Sequence, residues 1–273
     1  MQTLFVSSFD QNYFYVAAVA VISLGRNTNI DLDVICLVPD SLKSREQEFK
    51  SIVAQPHLNI KFRTYDKFSE VEARGLDSDL GYLTASCNHR LYMSSVCFEY
   101  DRAFYFDPDT LFLRDIDPIL NFPLRNNFMA VVEYSNSQYI LHGTRDIPYF
   151  NNGVFLTSLE FWRSNGIEQK FIDWQTEHGM TTYPEQDTMN DVLIDYWSPL
   201  PVSFNTYHWQ LLHDPVFYDD NSDPLIIHFA GPKSKPWVED VSKWTSLWLD
   251  IFDSIPRTTN DLPNNSITIG PIL

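Results

Sequence analysis

Two carboxylates stand one residue apart behind a short apolar run, in the segment Ala103-Phe-Tyr-Phe-Asp107-Pro-Asp109-Thr-Leu-Phe. A buried strand would place them at its carboxyl end, which is where an open α/β sheet has its ligand crevice. Two like charges held so close together repel each other unless a cation lies between them. A divalent metal would satisfy both and could bridge to a diphosphate. Asp-Pro-Asp-Thr is also good turn chemistry, so this pattern alone leaves a metal site and a polar turn evenly matched.

A histidine and two lysines form a second candidate group, in Leu225-Ile-Ile-His228-Phe-Ala-Gly231-Pro-Lys233-Ser-Lys235-Pro-Trp. A neutral imidazole is a good ligand for a transition metal. The lysines could neutralise phosphate, a task for which this acidic chain offers few groups. A lone histidine at the end of a strand is more often an ordinary, partly buried residue, but the glycine and lysines beyond it favour a binding function.

Two further polar segments carry weaker signals. Glu185-Gln186-Asp187, followed by Asn190, comes directly after a proline, and acidic residues are common in the first turn of a helix because they favour its dipole. The sequence Asn151-Asn-Gly is typical of a turn before a strand. Neither segment identifies a function when it is taken alone.

These residues must be positioned by an alternation of strands and helices along the chain. The apolar pattern predicts strands at 3–7, 31–38, 58–65 and 102–106, and helices at 13–22, 41–54 and 83–100, the first of them ended by Gly25. Shorter strands are predicted at 129–133, 154–157 and 225–229, followed by an amphipathic helix at 238–252. Such an alternation predicts βαβ units and a mostly parallel sheet with helices on both faces.

Composition excludes several classes of protein. The 273 residues are 44% hydrophobic and carry a net charge of −17, so the chain can bury a core and repels polyphosphate backbones and anionic lipid. Nucleic acid is therefore not an expected partner. The longest apolar run, 13–22, falls short of the roughly 18 residues that a membrane span needs. Three cysteines without a Cys-x-x-Cys pair fit a reducing compartment, and we expect a cytoplasmic protein without an integral membrane segment.

The chain has the length of one large domain, and it lacks the usual glycine-rich nucleotide loops. Neither Gly-x-Gly-x-x-Gly nor a Walker loop occurs among the 9 glycines, so any nucleotide must be held in another way. We predict a single domain over residues 1–255. The residues 256–273 are dominated by Thr, Asn, Pro and Ser and are expected to form a loosely held tail.

The motifs, taken together and in this order, resemble those of the retaining glycosyltransferases of family eight, the group of glycogenin and of lipopolysaccharide galactosyl- and glucosyltransferases. The resemblance covers most of residues 2–250. The matching segments are Ser7-Ser8-Phe-Asp10-Gln-Asn12-Tyr13, Arg90-Leu91, Asp107-Pro-Asp109, Asn151-Asn152-Gly153, Glu185-Gln186-Asp187 with Asn190, and His228 to Trp237. Each segment is weak alone, but the ordered set is specific.

The resemblance implies a metal site and a fold. Asp107, Asp109 and His228 would bind a divalent cation that also binds the diphosphate. Mn²⁺ is favoured because an imidazole suits it better than it suits Mg²⁺, which is the alternative and prefers oxygen ligands. The expected fold is the single-domain α/β nucleotide-sugar fold called GT-A, which has a central, mostly parallel mixed sheet flanked by helices.

The resemblance also implies which residues hold the donor. The residues expected at the uridine are Ser8, Asp10, Asn12 and Tyr13, with Tyr13 stacking on the base. Those expected at the diphosphate are Gly231 and either Lys235 or Lys233. Arg90 and Asn151 are expected to reach the donor sugar or the phosphate. Gln186 is expected under the reacting face of the sugar, with Asp187 beside it.

Some positions depart from the family pattern. One extra residue precedes Lys-Pro-Trp, which is why Lys233 could replace Lys235 at the diphosphate. Glu185 stands where the family usually has Asp, Asn152 where it has Ala, and Asn88 where it has Tyr. These departures bear on the identity of the donor sugar more than on the class of reaction.

The implied reaction is transfer of a hexose from UDP-galactose or UDP-glucose to an acceptor hydroxyl, with the anomeric configuration retained. The acceptor would be a glycan, a lipid-linked saccharide or a protein. Gln186 is an amide and a poor nucleophile, so attack by the acceptor on the face that UDP leaves is favoured over a covalent intermediate.

Two other functions compete with this interpretation. The segment Asp107-Pro-Asp109-Thr110 looks like the nucleophile strand of haloacid-dehalogenase phosphohydrolases, but that family has its Thr two residues after the second Asp and on the first strand. A catalytically dead nucleotide-sugar-binding protein is the third hypothesis. Competent residues at all three metal-ligand positions argue against it. The oligomeric state stays open.

Overall fold

The computed structural model describes residues 3–68, 85–132, 134–135, 138–139, 148–179, 181, 183–213, 223–238 and 242–256. All structural statements below concern these residues. The strands are β1 Leu4–Ser8, β2 Leu32–Leu37, β3 Leu58–Arg63, β4 Arg102–Phe106, β5 Thr110–Phe112, β6 Phe128–Val132, β7 Tyr134–Ser135, β8 Gln138–Tyr139, β9 Phe150–Ser158, β10 Trp197–Pro199, β11 Thr206–Tyr207 and β12 Ile226–His228.

The helices alternate with these strands over the first half of the chain. They are α1 Phe14–Arg26, α2 Glu46–Val53, α3 Met93–Val96, α4 Asp117–Asn121, α5 Leu159–Ser164, α6 Ile167–His178, α7 Pro184–Val192, α8 His208–His213 and α9 Lys243–Ser254. Short 3-10 helices add to them at Gln11–Tyr13, Asp40–Arg45, Ala85–Tyr92, Val202–Phe204 and Pro232–Ser234. Within the described residues, none of the helices is both long and apolar enough to cross a bilayer.

A seven-stranded mixed sheet runs through the molecule in the order β10-β6-β9-β4-β1-β2-β3. The pairs β1–β2, β1–β4, β2–β3 and β6–β10 are parallel, and β9 runs antiparallel to both β4 and β6. A small sheet, β11-β12-β5, lies beside it. The prediction of an α/β fold with a mostly parallel mixed sheet and flanking helices is therefore confirmed.

Each face of the large sheet is covered by its own apolar core. Successive side chains of a strand point to opposite faces, so Phe104 and Phe106 of β4 join one core, whereas Ala103 and Tyr105 join the other. The first core contains α1, α2 and α9, and the second contains α5 and α6. The mostly apolar α1 is thus a buried helix, as the sequence predicts.

The predicted helices begin or end elsewhere. The one predicted at 41–54 is a 3-10 helix, Asp40–Arg45, followed by α2. The first continues past Gly25 to Arg26, and a Cβ on Gly25 would lie 2.7 Å from the Gln55 side chain, so this glycine permits close packing and does not end the helix. The described part of the helix predicted at 83–100 is a 3-10 helix followed by one α-helical turn. The last helix begins at Lys243, five residues late, because the Ser242 side chain caps it.

The predicted tail falls almost entirely outside the described residues, which end at 256. The other strand predictions agree with the structure to within two residues, except that β9 is longer than the predicted 154–157 and begins at Phe150. That extension matters, because it draws Asn151, Asn152 and Gly153 into the sheet.

Candidate active site

The Asp107–Thr110 turn is held between the two sheets. It follows β4, and the Asp107 backbone N–H donates to Gly153 O on β9 over 2.7 Å. On the other side, Asp109 O accepts from Phe229 N just past β12, at 3.0 Å. The carboxyl ends of β4 and β12 therefore meet here, as expected for the ligand edge of an α/β sheet.

Three predicted metal ligands converge at this edge. Asp107, Asp109 and His228 each offer one ligand atom, and these atoms lie within 4.8 Å of one another. His228 Nε2 lies 3.3 Å from Asp109 Oδ1 and 3.7 Å from Asp107 Oδ2. Two carboxylates and an imidazole make a donor set that suits Mn²⁺ or another divalent transition metal.

A glycine makes room for this group. A Cβ on Gly153 would lie 2.3 Å from His228 Cε1 and 2.6 Å from Asp107 Oδ2. Both distances are far below van der Waals contact, so a side chain at this position would displace the imidazole or the carboxylate. The Asn-Asn-Gly segment is therefore a wall of the site as well as part of a strand.

Each carboxylate also has its own basic partner. Sequence alone predicts that the two acids repel each other when no metal is bound, so that losing one charge would leave the metal-free protein at least as stable. The structure argues against this, because Arg90 Nη2 lies 2.8 Å from Asp107 Oδ1 and Lys235 Nζ pairs with Asp109 Oδ2. All four side chains are at least four-fifths buried.

The two carboxyl groups differ in their pKa as a result. Burial raises the pKa of Asp107, and Asp109 adds to this effect, against the opposing charge of Arg90. Burial would also raise the pKa of Asp109, but Lys235 and His228 outweigh it and hold that pKa below its ordinary value. Asp109 is therefore the more firmly ionised member of the pair.

A tyrosine and an arginine orient the Asp107 carboxylate. Its Oδ1 accepts from Tyr105 Oη at 2.9 Å as well as from Arg90 Nη2, and Tyr105 Oη in turn bonds Ser8 Oγ at 2.7 Å. Oδ2 is thereby left on the side of His228. The other Arg90 nitrogens are engaged by Cys87 O and Asn152 O, so this guanidinium binds mainly protein groups.

Asp107, Asp109 and His228 together are called the acid–imidazole group below. An open cleft of about 280 Å³ lies against this group. From the predicted nucleotide-binding set, it is lined by Ser8, Asp10, Tyr13, Gly231 and Lys235. The Asp10 carboxylate caps the following 3-10 helix by accepting from the backbone N–H groups of residues 12 and 13.

Two other predicted donor-binding residues are placed differently. The Asn12 side chain is exposed and is not among the described residues that line the cleft. Lys233 lies in the 3-10 helix Pro232–Ser234, but its side chain is outside the described part of the chain. Lys235 Nζ donates to Phe229 O at 3.0 Å as well as to Asp109, so of the two lysines it is the one seen in the cleft.

The amides of Asn151 and Gln186 form the far wall of the cleft. Asn151 Nδ2 donates to Gln186 Oε1 at 3.0 Å, and the Asn152 backbone N–H donates to the same oxygen at 3.2 Å. The amide oxygen of Gln186 is therefore turned toward β9. Beside it, Asn190 bonds both backbone groups of Phe150 at 2.8 Å and so ties α7 to the start of β9.

Asp187 and Glu185, its neighbour on α7, lie in different surroundings. Asp187 accepts from Tyr149 Oη at 2.6 Å and from the Tyr183 backbone N–H at 3.3 Å, and it is not among the described cleft residues. Glu185 does line the cleft and is 5% exposed. Burial raises the pKa of Glu185. Of these two acids, Glu185 is the one that lines the described cleft.

Sequence reasoning missed several residues of the site, of which three show why. Asn205 contacts both His228 and Asn151, Tyr105 holds Asp107, and Trp209 lines the cleft. Tyr105 could have been found, because a polar group two residues before a carboxylate lies on the same face of a strand. Asn205 and Trp209 lie in short, loosely patterned elements that carry no such signal.

The chain has the GT-A fold, since its mixed α/β sheet superposes on those of solved glycosyltransferases with TM-scores of 0.73 and 0.70. The chain belongs to glycosyl transferase family 8, whose family model matches residues 5–241. The resemblance inferred from the motifs is thus confirmed.

The relatives of this chain include proteins that are named as glycosyltransferases. General stress protein A of Bacillus subtilis is 26% identical over 257 residues, covering 85% of this chain and 86% of that protein. Lipopolysaccharide glucosyltransferase WaaO of Escherichia coli is 26% identical over 176 residues, which is about half of each protein. The solved structure of the galactosyltransferase LgtC with donor and acceptor sugar analogs superposes with a TM-score of 0.70 at 20% identity, covering 94% of this chain and 98% of that one. At this identity the likeness shows the fold.

Proposed function

We propose that the chain transfers a hexose from a UDP-sugar, UDP-galactose or UDP-glucose, to a hydroxyl of a glycan or glycoconjugate, with retention of the anomeric configuration. The observation that carries this proposal is the convergence of Asp107, Asp109 and His228 beside a cleft lined by Tyr13 and Lys235. Membership of family 8 supports the transfer of a sugar. The names of the glucosyltransferase and galactosyltransferase above support a hexose.

The acid–imidazole group fits a divalent cation, with Mn²⁺ favoured and Mg²⁺ as the alternative. Tyr105 fixes the Asp107 carboxylate and Lys235 fixes that of Asp109. Gly153, which has no side chain, leaves space beside His228 and Asp107. When bound, the cation supplies positive charge for the diphosphate of the leaving UDP. Asp107, Asp109 and His228 would hold it.

The protein's own groups have separate tasks in this proposal. Asp10 and Ser8 contact the uridine, and Tyr13 stacks on the base. Asn12 is not assigned to the uridine, because its side chain is exposed and is not among the described residues that line the cleft. Gly231 and Lys235 contact the diphosphate, where the charge of Lys235 stabilises the oxygen that becomes free. For that task Lys235 must exchange its contact with Asp109 for one with phosphate, and Lys233 is the alternative if it does not.

The sugar is held by Glu185 and by the side-chain amides of Asn151 and Gln186. Gln186 and Asn151 contact the reacting sugar. Arg90 acts indirectly by holding Asp107, and Asp187 acts through its contact with Tyr183. Gln186 is an amide whose oxygen already accepts two hydrogen bonds, which supports attack by the acceptor on the face that UDP leaves. The acceptor proton then passes to the leaving phosphate oxygen.

The proposal extends to the setting in which the chain works. Residues 1–255 are proposed to form one catalytic domain, and the protein is proposed to act in the cytoplasm. Cys36 and Cys97 are buried free thiols, and burial raises the pKa of Cys97 to about 12, which suits a reducing compartment. The net charge of −17 argues against nucleic acid as a partner.

A release assay tests this function. Purified protein with Mn²⁺ is incubated with a panel of nucleotide sugars, and free UDP and inorganic phosphate are measured side by side. We expect slow UDP release from one or two UDP-hexoses, and none from the same protein carrying Asp109→Asn. Release of inorganic phosphate would indicate the hydrolase, and binding of UDP without release from any sugar would indicate the inactive binding protein.

A further inference from the structure

A buried chain of hydrogen bonds connects His228, the proposed metal ligand, to the side-chain amide of Gln186. His228 Nδ1 lies 2.9 Å from Asn205 Oδ1, Asn205 Nδ2 lies 2.9 Å from Asn151 Oδ1, and Asn151 Nδ2 lies 3.0 Å from Gln186 Oε1. The four residues come from β12, the segment before β11, β9 and α7. Asn205 is 1% exposed and lies behind the described cleft lining, so it contacts its neighbours and not a ligand.

Two backbone amides fix the direction of every bond in this chain. A backbone N–H can only donate, and Gly153 N–H points at Asn151 Oδ1 over 2.9 Å. That atom of Asn151 must therefore be its oxygen. The Asn152 backbone N–H independently identifies the Gln186 atom as an oxygen in the same way. Asn151 thus donates to Gln186 and accepts from Asn205.

The same reasoning determines that Nδ1 of the His228 imidazole carries a hydrogen. Because Asn205 uses its Nδ2 toward Asn151, the atom that it presents to His228 is its oxygen. An amide oxygen only accepts, so Nδ1 of His228 must carry the hydrogen. When the ring is neutral, the lone pair is therefore on Nε2, which faces Asp109 and Asp107. The ring is therefore held in the one tautomer that can bind a cation on the cleft side.

We propose that Asn205 is a positioning residue that sets the tautomer and the ring orientation of His228 and couples them to Gln186 through Asn151. The inference rests on the proposed function, since it assigns His228 to a cation and Gln186 to the sugar. Partners of this kind orient metal ligands, and their loss typically weakens metal affinity about 10- to 100-fold. Asparagine is required because the position must both accept from an imidazole and donate to an amide oxygen.

Two substitutions separate the effect of Asn205 on His228 from its effect on Gln186. Asn205→Leu removes both bonds, so we expect it to weaken Mn²⁺ binding about 10- to 100-fold and to reduce kcat. Asn205→Asp still accepts from His228 but cannot donate to Asn151. We expect it to bind Mn²⁺ at least as well as the unaltered protein and still to lose turnover. If Asn205 had a purely structural role, each substitution would either lower the Mn²⁺ affinity and kcat together or leave both unchanged.

All measurements use the full chain. The Mn²⁺ affinity and the tautomer of His228 are measured without any nucleotide sugar. Mn²⁺ affinity is measured by calorimetry, and the tautomer of His228 by NMR of ¹⁵N-histidine-labelled protein, assigned with His228→Gln. The matched control is Asn27→Leu, since Asn27 also makes two side-chain hydrogen bonds, to Ser23 O and Phe112 O, away from the site. We expect it to lower stability and leave Mn²⁺ affinity unchanged.

The outcomes distinguish this inference from the proposed function. A neutral Nε2–H tautomer in the unaltered protein, or unchanged Mn²⁺ affinity in folded Asn205→Leu, would overturn the positioning role. If Asn205→Leu does not fold, the tautomer and Asn205→Asp decide. Absence of UDP release from every nucleotide sugar would overturn the proposed function alone, because the tautomer and the Mn²⁺ affinity are measured without a donor.

Discussion

At the scale of single residues, the site is built from acids that are each paired with a buried base. Asp109 depends on Lys235 and Asp107 on Arg90, so the metal-free site is nearly neutral although the whole chain is strongly acidic. Breaking a buried pair leaves an uncompensated charge and is typically more costly than removing the pair entirely. The stability of the apo protein should therefore depend on both partners.

This dependence can be measured at Asp109 and Lys235. We expect Asp109→Asn to abolish Mn²⁺ binding and transfer and to lower the free energy of unfolding of the metal-free protein by roughly 3–5 kcal/mol, because it leaves the buried charge of Lys235 without a counter-charge. Lys235→Met should cost a similar amount, and the double variant should recover much of the loss. Urea unfolding in a chelating buffer gives the three values.

The control for this cycle is Asp173→Asn on α6, since Asp173 is exposed and bonds Gln169 on the same helix. Its effect should stay within about 0.5 kcal/mol. Unchanged apo stability in Asp109→Asn would mean that repulsion between the acids outweighs the contact with Lys235.

Gly153 gives a second test at this scale. We expect Gly153→Ala to abolish Mn²⁺ binding and transfer, because the new methyl group would overlap His228 Cε1 and Asp107 Oδ2. Calorimetric titration with Mn²⁺ measures the loss. As a control, Gly166→Ala has space for its methyl group but a positive φ of 60°, so it should cost about 1 kcal/mol of stability and keep the affinity. Normal Mn²⁺ binding by Gly153→Ala would exclude the close approach seen here.

At the scale of elements, the site depends on how α7 meets the start of β9. The pairing of β9 with β6 shifts register between Ala130 and Val131, and there the Phe150 backbone bonds the Asn190 side chain. Helix α7 thus supplies Gln186 to the cleft and at the same time completes the hydrogen bonding of the strand that carries Asn151.

Asn190→Ala tests this junction. The substitution leaves the Phe150 N–H and C=O buried without a partner, at about 1–3 kcal/mol each, so we expect a loss of roughly 2–5 kcal/mol in stability and a fall in kcat. Thermal unfolding and the UDP release assay are the measurements. Asn165→Ala, which removes an exposed bond to Phe161 O, is the control and should leave both quantities near their original values. A stable, fully active Asn190→Ala would show that the strand holds its geometry without the helix.

At the scale of the whole molecule, the cleft is assembled from segments that are distant in sequence and that lie at the edges of both sheets. A ligand that binds only this assembled form stabilises the folded state in proportion to its affinity. The nucleotide and the cation should therefore act together on unfolding of the chain as a whole.

We expect UDP with Mn²⁺, each at about 100 times its Kd, to raise the Tm by roughly 5–10 °C, since such saturation adds about 2.7 kcal/mol and a chain of this size gains about 2–4 °C per kcal/mol. Differential scanning calorimetry gives the shift. UDP with a chelator should give much less, and Asp109→Asn should give no shift with Mn²⁺ and UDP together. An equal shift with and without the metal would contradict joint binding.

The sequence by itself determined the alternation of strands and helices, the strand Arg102–Phe106 and the set of polar residues at strand ends. These follow from local patterning, because a run of buried residues flanked by turn chemistry is readable without knowing its neighbours. It did not determine where α9 begins or the role of Gly25, because those depend on a side-chain cap and on a contact between α1 and the segment that follows α2.

Only the tertiary structure decided which groups share a bond inside the site. Asn205 meets His228 and Asn151 across gaps of 23 and 54 residues, and Lys235 reaches Asp109 across 126. No local pattern encodes such pairs, since they depend on how two sheets and a helix end pack against one another. For the same reason the sequence suggested mutual repulsion at the acid pair, whereas the fold brings a separate base to each carboxylate.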